Sequence, residues 1–313
     1  MKNKIVQNQR SESAVEYACA FRWAYSNAKR WKSIIWMFTL VLAVLQIVVT
    51  SRSALFTYVV QHNLEVIMIS ILLLTLLLQV FGKTFGLELW QKRGSLAQQF
   101  HDNSVLGLGI KPNFLSLTPS LIKKYADNYK AKRPSDMENL SAWWPEHIDV
   151  LPYHAAIIIC QLSTFKWEFE LRRKYQRLLV FILIVTMALI FITAWLNSYT
   201  IEKIILFLLV PATPFLALLL DELLINGQFY KQALHTANIS ENLWMHVVEH
   251  KVKDEHGLID KLSGIQSDWQ QYRRSASPIF DWLYWISRKS MEIDMLVDSR
   301  ALANEYRMSF STS

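Results

Sequence analysis

The sequence predicts an all-α integral membrane protein, with four transmembrane helices arranged two plus two and a helical cytoplasmic domain built from the central insert and the C-terminal tail. Three observations lead there. Hydrophobic residues make up 52% of the 313 positions and charged residues only 19%, a balance too apolar for two soluble domains. The excess is concentrated in four stretches free of Asp, Glu, Lys and Arg, residues 34–51, 66–82, 178–201 and 204–220. Each is at or near the ~20 apolar residues that cross a bilayer as a helix. The polar segments show helical spacing, with no alternating pattern of useful length. Together these exclude a soluble protein, a collagen, a disulfide scaffold and a disordered tail. The chain accordingly divides into an N-terminal helix (1–33), spans one and two (34–82), a helical insert (83–177), spans three and four (178–222) and a C-terminal helical region (223–313).

Charge sets the orientation. Lys and Arg number 7 before the first span, 1 between spans one and two, 14 in the central insert, 1 between spans three and four, and 10 after the fourth. Basic residues are retained on the cytoplasmic side, so both termini and the insert are expected to face the cytoplasm. Arg52 and Lys203 are the only basic residues of the outer loops, which leaves little outside to recognise a ligand. The N-terminal segment carries net +5, the stretch 82–177 another +5, and the tail from Asp221 net −3. That imbalance suits anionic lipid headgroups, a phosphate-bearing ligand, or both. Cys19 and Cys160 fall on the reducing side, so no disulfide is expected. The polar N-terminal segment lacks the apolar core of a cleavable signal peptide, so the first span reads as a retained anchor.

In chain order, residues 17–36 form a helix running into the first span, with Trp31 and Trp36 at headgroup level; Trp195 and Tyr199 serve the outer side. His62 and Glu65 lie at the outer end of span two. Within the spans the polar groups are uncharged, chiefly Thr39, Gln46, Ser70, Thr75, Gln79, Thr186, Thr193 and Thr213. This argues against a proton pump or ion-coupled transporter, which needs ionisable groups at mid-depth, and suits helix association. The insert reads as a helix over 82–100, turns around Gly107, Gly109, Pro112 and Pro119, a helix over 120–132, and an irregular stretch bounded by Pro134, Pro145 and Pro152. From Tyr153 a helix runs unbroken into span three. Pro211 and Pro214 in span four remove two backbone donors and obstruct carbonyls one turn earlier, so a bend and a candidate hinge are expected there. Beyond it the helix is expected to reach Ala237, with a new start at Ser240 and a run to Lys253, then a helical run punctuated by Gly257 and Gly264, a break over 275–278 and a final amphipathic helix over 281–306.

His246-Val247-Val248-Glu249-His250 fits the H-x-x-E-H pattern of inverted zinc proteases, two histidines on one helical face with a glutamate as base. The further downstream acidic ligand is missing, since Glu305 comes too early, and Leu243, Val247 and Val248 resemble an ordinary buried stripe. No metal site, catalytic residue or cofactor is therefore assigned. No phosphate-binding loop, nucleophile elbow, C-x-x-C pair or dinucleotide fingerprint occurs. Basic residues beside aromatics do recur, as in Arg22, Trp23, Tyr25, Lys29 and Arg30; Trp167, Arg172, Arg173 and Tyr175; and Tyr272, Arg273, Arg274, Trp282 and Tyr284. Guanidinium groups grip phosphate in paired hydrogen bonds and aromatic faces stack on bases, the chemistry a nucleotide needs.

Several stretches are familiar in their order: Gln7-Asn8 and Tyr25-Ser26-Asn27-Ala28-Lys29, then Ala97-Gln98-Gln99-Phe100-His101-Asp102 after span two. Trp144-Pro145, Gln161 and Trp167-Glu168-Phe169-Glu170-Leu171-Arg172-Arg173-Lys174-Tyr175 precede span three; Gln266, Arg273 and Pro278-Ile279-Phe280-Asp281-Trp282-Leu283-Tyr284 close the series. In this order, and in its two-plus-two spans, the chain resembles the SMODS-associating four-transmembrane effector family of bacterial cyclic-oligonucleotide antiphage signalling. It departs in having His101 between Phe100 and the acid, and Trp144 where a tyrosine commonly precedes the proline.

The resemblance implies an effector that binds a cyclic di- or trinucleotide made by a partner synthase, assembles as a homo-oligomer in the lipid bilayer and breaches it, with no DNA or RNA partner. Family contacts are not transferred; by chemistry, the ligand contacts are expected at Lys29, Arg30, Trp144, Arg172, Arg173, Arg273, Arg274 and Tyr284, and the gating hinge at Pro211 and Pro214. A membrane-bound zinc metalloprotease using His246, Glu249 and His250, and a non-catalytic membrane adaptor, are the alternatives.

Overall fold

A computed structural model describes residues 3–51, 64–109, 117–252 and 255–311. Arg52, His62, Pro112 and Lys253 lie outside the described residues, as does the Glu65 side chain. All regular structure among the described residues is helical. The elements are α1 (Ile5–Gln9), α2 (Glu12–Ser51), α3 (Leu64–Phe81), a π-helical segment (Gly82–Glu88), α4 (Leu89–Leu106), α5 (Pro119–Lys132), α6 (Met137–Ser141), α7 (Tyr153–Leu196), α8 (Ile201–Ile204), a second π-helical segment (Ile205–Leu209), α9 (Val210–Glu249), α10 (Glu255–Ser275) and α11 (Asp281–Ser311). They form two compact units. One, the membrane unit, comprises Ala28–Leu89 and Lys174–Gly227; the other, the helical unit, comprises Met1–Asn27, Trp90–Arg173 and Gln228–Ser313.

Among the described residues four helices are long and apolar enough to cross a membrane, and they overlap the four uncharged stretches. In the membrane unit, α7 turns outward Phe181, Ile184, Phe191, Trp195 and Leu196, each more than 60% exposed, the surface expected of a helix solvated by lipid. Its inward Ile190 and Ala194 meet Leu208 and Ala212, and the two alanines let the helices approach closely. Gln79 Nε2 donates to Thr39 Oγ1 (3.3 Å) and to the Pro214 carbonyl (3.4 Å), so part of the uncharged polar set joins helices inside one subunit. A Cβ on Gly86 would lie 2.5 Å from the Trp31 ring, a closeness that only glycine permits. A π-helical segment lies directly before Pro211 and Pro214, where a proline ring obstructs the carbonyl one turn back.

At the N-terminal end of span one and the C-terminal end of span four this unit holds a buried ion pair. Lys32 Nζ donates to Glu222 Oε1 at 2.6 Å, with side chains 2% and 9% exposed, and Lys32 also lies 5.0 Å from the Tyr175 ring. Beside it Asn226 Nδ2 donates to Gln176 Oε1 (2.7 Å). Asp221, the residue before Glu222, pairs with Lys83 at 3.3 Å in an exposed position.

The helical unit is centred on the first part of α7, where Ala155 to Leu162 are at most 1% exposed. That run is apolar on nearly every face, as a central helix must be. Trp244 and Val247 of α9, Leu258 and Leu262 of α10 and Tyr306 of α11 pack around it. Helix α4 ends where Gly107 adopts φ 68°, its N–H donating to the Asn103 carbonyl, a left-handed helix stop. The expected start at Ser240 is not one: α9 runs unbroken through it, and the serine is 1% exposed inside the helix. Burial of its neighbours Ala237 and Trp244 overrides the local preference of serine for a cap. Gly264 likewise lies within α10, without ending it.

Candidate functional site

The residues quoted from separate motifs converge first on a network of the helical unit. Asp102 of α4 accepts from Arg273 Nη1, from Gln266 Nε2 (2.9 Å) and from Gln270 Nε2 (3.1 Å), while the His101 ring lies 3.2 Å from its other oxygen. Gln161 of α7 donates to Gln266 Oε1 (3.0 Å), and Gln91 Nε2 donates to the Arg273 carbonyl (2.8 Å). Burial pushes the Asp102 carboxyl up, but the Arg273 guanidinium and His101 outweigh it and hold it below the usual carboxylate range. Asp102, displaced by one position from its expected place, thus still meets Arg273. Arg172 is held comparably. Its Nε donates to Glu168 Oε1 (2.8 Å) and to the Tyr272 hydroxyl, its Nη2 to the Ser277 carbonyl (3.1 Å), and the guanidinium lies between the Phe229 and Tyr272 rings. Burial pushes the Tyr272 phenol well up, so it remains a donor to Glu168 (3.0 Å).

Arg172 and Arg273 are therefore saturated by acids of their own unit. Arg173 is half-buried and pairs with Glu170 at 2.6 Å; Arg274 is exposed, with Nη2 3.3 Å from Gln99 Oε1. Trp144 is core, packed with Ile148 and Leu151, its N–H donating to Gln9 Oε1 (2.7 Å). Lys29 and Arg30 belong to the membrane unit and the other six expected contacts to the helical unit; Lys29 is partly buried and Arg30 exposed.

Tyr284 leads to a different guanidinium. Nη1 and Nη2 of Arg22 both donate to the Tyr284 hydroxyl at 3.2 Å. The Arg22 carbon centre lies 5.4 Å from the Trp143 ring, 5.4 Å from the Tyr284 ring and 5.8 Å from the Phe21 ring. Trp167 completes the box, 6.2 Å from Trp143 and 6.4 Å from Tyr284. Arg22 Nε is buried without a hydrogen-bond partner, and no carboxylate pairs with this guanidinium among the described residues. Four segments supply the box: α2, the Trp143 turn, α7 and α11. A cation with spare donor capacity, walled by π-faces, is equipped for an anion attached to a flat ring. Arg22 and Trp167 stood in the basic and aromatic clusters of the sequence, but their meeting with Trp143 across some 120 residues had no local signal.

The rings of His246 and His250 do face each other, 4.6 Å apart on an exposed turn of α9. Glu305, however, accepts from Trp244 Nε1 at 2.8 Å, and no group of three metal-capable side chains occurs among the described residues. A family model described as the SMODS-associating 4TM effector domain matches residues 3–302. No curated protein and no solved structure matches the chain.

Proposed function

The chain belongs to the SMODS-associating 4TM effector domain family, and we propose from that premise that it is a cyclic-oligonucleotide-responsive effector of antiphage defence, which oligomerises and permeabilises the bacterial inner membrane. It is a multi-pass membrane effector linked to cyclic-oligonucleotide synthase systems. The observation that carries the finer reading is Arg22, without an ion pair among the described residues, enclosed by Trp143, Trp167 and Tyr284. Phosphate takes the guanidinium, and a base stacks on the rings. The bias of Lys and Arg toward the N-terminus, the insert and the tail supports a cytoplasmic helical unit with both termini inside, where such a messenger is made.

Shifting a population from about 1% to 99% active takes roughly 5.5 kcal/mol of differential binding. Each charged hydrogen bond contributes about 1.5 to 3 kcal/mol, so two or three contacts made only in the active state suffice. Arg172, already bound to Glu168, braces α7, which carries Trp167, against Tyr272 of α10, and Arg273, bound to Asp102, ties α10 to α4. Four uncharged spans enclose no wet channel alone, so the breach requires several subunits.

The test is dye release from liposomes containing the full chain, with a panel of cyclic di- and trinucleotides. One class of these is expected to trigger release, and Arg22→Ala should weaken that response about tenfold or more at unchanged insertion. Liposomes that stay sealed with every member of the panel overturn the proposal. Glu249→Gln should leave release untouched; its loss would favour the zinc-protease reading instead.

A further inference from the structure

The box does not stand alone on its face of the helical unit. The Tyr284 ring is followed at 5.4 Å by that of Trp285, which is 40% exposed. Over Trp285, at 5.3 Å, lies the guanidinium of Arg133, the exposed residue that caps the C-terminal end of α5. Its neighbour Lys132, also exposed, places Nζ 5.9 Å from the ring of Trp23, the residue after Arg22. No carboxylate pairs with Arg133 or Lys132 among the described residues. Arg288, on Trp285 at 5.2 Å, differs in being neutralised by Glu292 at 2.5 Å. The sequence Arg22, Tyr284, Trp285, Arg133 is thus a cation, two rings in contact and a second cation, each step between 5.3 and 5.4 Å.

We propose that Arg133 and Lys132 form a second anion subsite continuous with the Arg22 box, so that the ligand is a polyanion with at least two phosphates, one held at Arg22 and another at Arg133. The inference rests on the messenger-binding reading and deepens it. A single nucleotide fills the first subsite only. A cyclic oligonucleotide carries its phosphates on one ring, so the second contact forms without a second loss of translational freedom. The walls of both subsites are π-faces, and stacking is tolerant of base identity. Phosphate number and spacing, more than base identity, then set affinity.

Binding by the full chain in nanodiscs tests this. The probes are cyclic di- and trinucleotides and a 5′-mononucleotide, each measured in neutral lipid and in lipid containing phosphatidylglycerol. The parent should prefer the best cyclic probe over the mononucleotide by about tenfold or more. Lys132→Ala with Arg133→Ala should erase that preference and leave mononucleotide binding unchanged. Arg22→Ala should weaken both probes, and Arg133→Lys should recover part of the loss, which an unfolded variant would not. If the parent binds no cyclic probe, the messenger reading itself fails. If it binds one through Arg22 while the double variant keeps the full preference, only the second subsite is wrong. A double-variant effect confined to phosphatidylglycerol-containing discs would assign the two cations to lipid headgroups and overturn the proposal.

Discussion

An arginine of this protein is a strut, or is left for the proposed ligand, according to whether an acid pairs with it. Arg172 has Glu168 one turn away on its own helix, and Arg273 has Asp102 from a helix 171 residues distant, so neither has charge to spare. Arg22 hydrogen-bonds a phenol, which accepts without neutralising, and feels the Asp136 carboxylate only at longer range. The same arithmetic governs Lys32 and Glu222, buried together at 2.6 Å in the membrane unit. Removing one member of such a pair leaves an uncompensated buried charge and costs about 3 to 5 kcal/mol, whereas replacing both by apolar residues of similar size is near neutral. Glu222→Gln or Lys32→Met alone should therefore lower the melting temperature in detergent by many degrees. Lys32→Met with Glu222→Leu should recover most of it, and equal melting of single and double variants would refute the assignment.

Among the elements, α2, α7 and α9 share one design, an apolar stretch and a polar stretch on a single unbroken helix of 40, 44 and 40 residues. No Pro or Gly falls inside α2 or α7, so their continuity follows from composition alone. This was legible beforehand, including the run of α7 from Tyr153 through the third span. A departure from regular α-helix near Pro211, expected as a bend, was legible too, because a missing donor is a property of the residue itself. Its form, a π-helical segment of five residues, depends on how neighbouring turns absorb the obstructed carbonyl. Pro211→Ala with Pro214→Ala should restore regular helix and change permeation several-fold at equal ligand affinity. Identical dye release by parent and variant would remove the hinge. Ser240 was misread because a cap preference is weak beside the burial of the face it lies on.

At the scale of the whole molecule, two chain segments build the membrane unit and three build the helical unit, interleaved in sequence. The charge bias implies that the polar segments share one side of the bilayer. Reporters fused at Met1 and at Ser313 should both signal from the cytoplasm, and a cysteine placed at Lys203 should be labelled by an impermeant reagent from outside; a reporter active outside would invert the topology. The sequence alone determined the number and place of the spans, because hydrophobic transfer is additive along a short stretch and needs no partner. It also showed that arginines and aromatics would matter. Only the tertiary structure decided which of them remain available, because an ion pair is set by distances of a few ångströms between residues that lie a hundred or more positions apart. Arg172 and Arg273 could not be told from Arg22 until Tyr272, Asp102 and Tyr284 had been brought beside them.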